Sequence, residues 1–184
     1  EAYEAVDALD LDDPVLMCEE LGDVLMQVAF HTCMEQETGR FTWEQVCDGV
    51  CQKLIERHPN IFGTQPGYEG ITDWDALKNK EKGRRTLADD LESVPRAMPA
   101  LMRAAKLQKR AARHGAALQG ADAAALADAA ENLQTAQPAS AQAEQAVGEL
   151  LFAAANLARQ AGVDPEQALQ KANEAFCTAA GPVA

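Results

Sequence analysis

Apolar residues recur at intervals of three and four along nearly every uninterrupted stretch of this 184-residue chain, and glycine or proline falls where the stretches break. That spacing lays a single apolar stripe along a helix, whereas a half-buried strand needs strict alternation. Aromatic residues make up only 5% of the chain and alanine crowds its last third. Both facts favour helix and disfavour a β-sandwich or barrel. The expected fold class is all-α. No run of 18 apolar residues occurs, so no transmembrane helix is expected. No signal peptide is read either. The chain starts at Glu1 rather than Met, which reads as a fragment lacking its N-terminal start.

Capping residues mark the helix ends. Residues 1–9 read as the end of an amphipathic helix, and Leu11-Asp12-Asp13-Pro14 breaks it. Asp13 is placed to cap the next helix and Pro14 suits its first turn. That helix is expected to run to about Gln36, with Leu21, Val24, Leu25 and Val28 as its buried stripe. Thr42-Trp43-Glu44-Gln45 has the form of a capping box, opening a third helix to about Arg57. The segment 58–72 reads as a loop, followed by a short helix from Trp74 to about Lys82. Further helices are expected over about 99–114, 121–134, 141–161 and 165–179, the segment before the first of these being a polar connection.

The end of the chain partly repeats its beginning. Val147-Gly148-Glu149-Leu150-Leu151 echoes Leu21-Gly22-Asp23-Val24-Leu25. Gly162 through Gln167 echoes Gly39 through Gln45, with the interval changed by four residues, about one helical turn. The expected organisation is a first helical unit at 1–82, a connecting helix and linker at 83–120, and a related second unit at 121–184.

Charge is segregated along the chain. Residues 1–39 hold eleven acids and no Lys or Arg, whereas residues 78–113 hold eleven basic and four acidic groups. The net charge is −13, and the basic middle lacks interleaved aromatics, so nucleic acid is not the expected partner. The five cysteines include no Cys-x-x-Cys pair and are expected to be reduced thiols of a cytoplasmic protein.

Glu1 and Glu4 stand three apart on the first helix, as do Glu20 and Asp23 on the second. An i, i+3 pair projects from one helix face. If the two helices run antiparallel, the four carboxylates can converge. Without a local cation they repel one another, and an all-oxygen ligand set selects Mg²⁺, or Mn²⁺, over zinc. The alternative is two acidic faces pointing into water, and spacing alone does not choose between them. Glu19 lies a step around the helix and is a weaker candidate. His31 shares the stripe of Glu20 but lies too far along the axis to bind the same ion.

Taken in order, these stretches resemble the MazG family of nucleoside triphosphate pyrophosphohydrolases, within the all-α NTP pyrophosphatase superfamily. That family carries Glu-Glu-x-x-Glu followed at an interval by Glu-x-x-Asp. Glu1-Ala2-Tyr3-Glu4 matches the last four positions of the first half, and Glu19-Glu20-Leu21-Gly22-Asp23 the second half. The first Glu of the pattern is missing from the chain. Lys53 through Phe62 is similar to the family's Lys-x-x-x-Arg-His-Pro-His-Val-Phe stretch, and Asp73 through Lys78 to its Trp-x-x-x-Lys helix. Pro95 through Ala104 resembles its inter-repeat helix.

The resemblance implies tandem helical-bundle units that cleave a nucleoside triphosphate to a monophosphate and pyrophosphate with Mg²⁺. Glu1, Glu4, Glu20 and Asp23 would be the metal ligands and catalytic groups. Lys53, Arg57, Trp74 and Lys78 would hold the substrate, and the chain would form at least a homodimer. The second unit departs from the pattern. Ala146 stands for Glu20, Ala175 for Lys53 and Ala179 for Arg57, with only Glu149 in the place of Asp23. A packing or dimerisation role is expected for it. The competing reading is a non-catalytic helical dimerisation module, a decayed member of the family.

Overall fold

The structure is a computed structural model and describes residues 1–62, 83 and 86–181. Two compact units divide the chain, Glu1–Leu77 and Lys78–Ala184. All regular elements among the described residues are helices. None of these helices is long and apolar enough to cross a membrane.

The first unit contains α1 (Ala2–Asp10), α2 (Pro14–Glu37), α3 (Trp43–Arg57) and α4 (Pro59–Phe62). The expected caps form. Asp13 Oδ1 accepts from the amides of Val15 and Leu16 at 2.9 and 3.1 Å. Pro14 occupies the first turn, where its missing N–H costs nothing. Asp12 turns the chain between α1 and α2 with a φ of 54°, a left-handed conformation that aspartate tolerates better than most residues. Thr42 and Gln45 exchange both bonds of a capping box, at 2.8 and 3.4 Å. Packing joins α1 and α3 each to α2.

Two local expectations change. His58-Pro59 ends α3 but does not begin a loop. Residues 59–62 form one more helical turn, with the amides of Ile61 and Phe62 donating to the His58 carbonyl at 2.9 Å each. Proline at the start of a turn is compatible with this. The stripe expected to be buried on α2 is mostly exposed: Leu21 is 50%, Leu25 58% and Val28 40% accessible, while Val24 is half-buried. Within the unit α2 buries Thr32 instead, and α1 buries Ala5 and Ala8. Among the described residues, the short α1 and α3 pack on this 24-residue helix and leave Leu21 and Leu25 exposed.

The second unit contains α5 (Leu87–Glu92), α6 (Ala100–Arg113), α7 (Ala123–Thr135), α8 (Ala141–Gln160) and α9 (Pro165–Ala180). Its most extensive packing is between α7 and α8. Alanines occupy the most buried positions of these helices: Ala129 on α7 and Ala146, Ala153 and Ala155 on α8 are all but inaccessible. Of the neighbouring leucines on α8, Leu150 is half-buried and Leu151 is 43% exposed. The buried face centres instead on the alanines and on Asn156, whose Nδ2 donates to the Ala121 carbonyl at 2.6 Å.

Helix α6 was expected to connect the units, but it packs within the second, against α8, α5 and α9. Gln108 on α6 donates to the Phe152 carbonyl of α8 at 2.7 Å. The expected polar connection before α6 contains a helix, α5, opened by a capping box between Thr86 and Asp89 at 3.1 Å in both directions. From α5, Asp90 is buried against Arg110 of α6.

Candidate functional site

The break at residues 11–13 returns α2 alongside α1 in the opposite sense. Gln27 on α2 therefore reaches the beginning of α1, where its Nε2 donates to Glu1 Oε1 at 3.2 Å. The same reversal brings Glu1 to Glu20 and Asp23. These three carboxylates offer oxygen atoms that all lie within 4.8 Å of one another, a spacing at which one cation can be shared. Glu20 and Asp23 are half-buried and Glu1 is exposed. Among the described residues this is the single group of three metal-capable side chains.

Glu4 stands at the edge of the group. Its Oε2 lies 3.2 Å from the amino nitrogen of Glu1, but it remains close enough to act on Glu20. Partial burial, and then the negative charges of Glu4, Asp23, Glu19 and Glu1 in that order, hold the Glu20 carboxyl above its ordinary range. Like charges at short range disfavour ionisation, as does the loss of water. A divalent cation removes that penalty, and an all-oxygen donor set fits a hard ion such as Mg²⁺. The chemistry of the residues present therefore fits the metal that the resemblance implies.

The remaining sequence-derived residues fall in two places. Lys53 and Arg57 stand four apart on α3, Lys53 exposed and Arg57 half-buried. Trp74 and Lys78 lie outside the described residues. Beside the carboxylates is a cavity of about 410 Å³ lined by Glu1, Gln27, His31, Thr32, Phe41 and Val46, among others. Sequence reasoning missed it. The available signal was the recurrence of Gln27 and His31 four and eight residues after Asp23, on the same side of α2.

In the second unit, Glu149 accepts from Gln145 Nε2 at 2.8 Å. It lines a different cavity, of about 660 Å³, together with Asp128, Gly148 and Phe152. The three-carboxylate arrangement of the first unit has no counterpart there among the described residues.

Known proteins extend these observations. A family profile described as the MazG nucleotide pyrophosphohydrolase domain matches residues 1–62, the segment that builds the carboxylate group and its cavity. A nucleoside triphosphate pyrophosphohydrolase of Escherichia coli K12 is 38% identical, the match covering 96% of this chain and 70% of that protein. The nucleoside triphosphate pyrophosphohydrolase/pyrophosphatase MazG of Thermotoga maritima is also 38% identical, over 96% of this chain and 69% of its own length. A nucleoside triphosphate pyrophosphohydrolase of Mycobacterium tuberculosis is 35% identical over 62% of this chain and 36% of its own. Identity of this extent, carried through both units and not the carboxylate segment alone, establishes that the chain belongs to the MazG nucleotide pyrophosphohydrolase family of hydrolases.

Proposed function

We propose that this chain hydrolyses nucleoside triphosphates to nucleoside monophosphates and pyrophosphate, with Mg²⁺, or Mn²⁺ in its place, held by Glu1, Glu20 and Asp23 and with Glu4 beside them. The observation that carries this reading is the convergence of three carboxylates within 4.8 Å in a chain whose relatives bear that activity in their names.

When bound, the cation supplies neutralisation of phosphate charge and a lowered pKa for a water molecule. The protein supplies position. Glu20 and Asp23 are fixed one turn apart on a 24-residue helix, and Glu1 is held by Gln27. A carboxylate of this set that is not engaged as a ligand can accept a proton from attacking water, as a general base must. Lys53 and Arg57, on one face of α3, are suited to phosphate oxygens, Arg57 in bidentate fashion. By the family resemblance, Trp74 and Lys78 hold the nucleotide.

The exposed apolar residues of α2 support a homodimer. Leu21 and Leu25 on one side of α2, and Phe30 and Met34 around the helix from them, leave apolar surface in water, and helices with such surfaces are stable when a second apolar face covers them. The cysteines are all free and mostly exposed, which fits a reducing, cytoplasmic setting.

The test is product analysis by ³¹P NMR with each common nucleoside triphosphate. The expected products are the monophosphate and pyrophosphate, formed with Mg²⁺ and lost on chelation. Formation of the diphosphate and orthophosphate instead would contradict cleavage between the α and β phosphates.

A further inference from the structure

The carboxylate group and the cavity of about 410 Å³ share Glu1, and Gln27 joins them by its bond to that carboxylate. From there the cavity follows α2 toward its C-terminal half. Val24, Gln27, Val28 and His31 lie along one side, and Phe41 and Val46 close the other. Asp23 and His31 are eight residues apart on one helix, an axial rise of about 12 Å. The span is comparable to the reach of a nucleoside from its α-phosphate. The volume lies within the range of about 300–1,000 Å³ usual for small-molecule sites.

The two ends of this region differ in chemistry. Helix α3 starts at Trp43 after a five-residue turn from the end of α2 and packs on it, with Phe41 and Val46 in the cavity beside His31, a connection that turns α3 back along α2. Lys53 and Arg57 lie seven and eleven residues beyond Val46, about 10 and 16 Å back toward the carboxylates. Cations therefore belong to the carboxylate end, where phosphates are needed, and apolar surface to the other. At the apolar end, Phe41 is 37% exposed and offers a ring face for stacking. Among the described residues His31 makes no hydrogen bond or ion pair, so its ring nitrogens are available to a ligand.

We propose that this cavity seats the nucleoside of the triphosphate, with Phe41 and Val46 against it and His31 reading the edge of the base. The assignment rests on the carboxylates being the cation site for the triphosphate, and it makes His31 a specificity-determining residue.

Two probes separate the two ideas. Inorganic tripolyphosphate and an α,β-methylene nucleoside triphosphate are titrated calorimetrically into the full chain with Mg²⁺ present. The wild-type protein is expected to bind the nucleotide analogue at least about tenfold tighter than tripolyphosphate, the difference being what the nucleoside contributes. Val46→Trp, which fills the cavity, should remove that advantage and leave tripolyphosphate affinity within about twofold. His31→Ala should change the relative affinities for adenine, guanine, cytosine and uracil analogues by about fivefold or more. Equal affinity of the wild-type protein for the two probes overturns the cavity assignment whether or not the variants fold, and leaves the cation site standing. An unchanged base ranking in His31→Ala overturns the role given to that residue. Failure of both probes to bind overturns the cation site, and the cavity assignment with it.

Discussion

Asp23→Ala is expected to lower turnover of nucleoside triphosphates about a thousandfold or more, since a lost metal ligand forfeits several kcal/mol of transition-state stabilisation and each 1.36 kcal/mol is tenfold in rate. Asp23 is one of three carboxylates within 4.8 Å and the one that projects from the same face of α2 as Glu20. Folding should survive, because the substitution removes one of the charges that oppose ionisation of Glu20. The metal-free variant should unfold at a temperature equal to or above that of the metal-free parent, measured by circular dichroism. Glu149→Ala is the matched control. It occupies the corresponding place in the second unit, but its neighbour at the Glu20 position is Ala146, and its carboxylate bonds to Gln145. Its turnover should stay within about twofold of the parent, as for most surface changes. Comparable losses in the two variants would mean that the second unit takes part in catalysis.

The largest stability effect is expected in the second unit. Asp90 has a 1% accessible side chain and lies 3.0 Å from Arg110 Nη1, whose own side chain is 8% accessible. Arg113 and His114 approach Asp90 Oδ2 at 3.6 and 3.3 Å. Arg110 Nη1 also bonds to the Asp90 carbonyl and to Ser93 Oγ. Its approach to Asp90 Oδ1 is close but not aligned as a hydrogen bond, so charge holds that contact. Asp90→Ala strands the Arg110 guanidinium in the core and should cost about 3–5 kcal/mol. Calorimetric unfolding should show a drop of about 10 °C or more for this unit. The double variant Asp90→Leu with Arg110→Met, which leaves no fully buried charge because Arg113 and His114 are partly exposed, should recover much of that loss. A cost below about 1 kcal/mol for Asp90→Ala would mean that the pair does not organise the packing of α5 on α6.

What could be read from the sequence was local. Asp13 and Thr42, read as caps from the sequence, each cap the helix that follows through their own side chains. A cap acts within three residues, so its partners are adjacent in the sequence. The short break before Pro14 implied the reversal that brings Glu1 to Glu20 and Asp23. Burial was less legible. Periodicity identified the α2 stripe of Leu21, Leu25 and Val28 but could not say what covers it, and among the described residues Leu21 and Leu25 stay exposed. In α8 the most buried positions are Ala146, Ala153 and Ala155, which apolar periodicity does not single out. Helix α5 was overlooked because its capping box closes on Asp89 rather than on Glu or Gln. The buried Asp90–Arg110 pair was hidden because its partners are twenty residues apart, and nothing local ties them. The cavity at His31 was missed for a related reason, since Phe41 and Val46 reach it from beyond a turn.

A Mn²⁺ titration followed by electron paramagnetic resonance bears most directly on the assignment of the cation to the first unit. The wild-type chain at neutral pH should bind Mn²⁺, and Mg²⁺ should displace it. Asp23→Ala and Glu20→Gln should each weaken that binding by about a hundredfold, while Glu149→Ala leaves it unchanged. Affinity should fall as the pH is lowered through the raised Glu20 titration, because the proton competes for a ligand oxygen. Mn²⁺ binding that is equal in the parent and in Asp23→Ala would contradict the assignment of the cation to Glu1, Glu20 and Asp23.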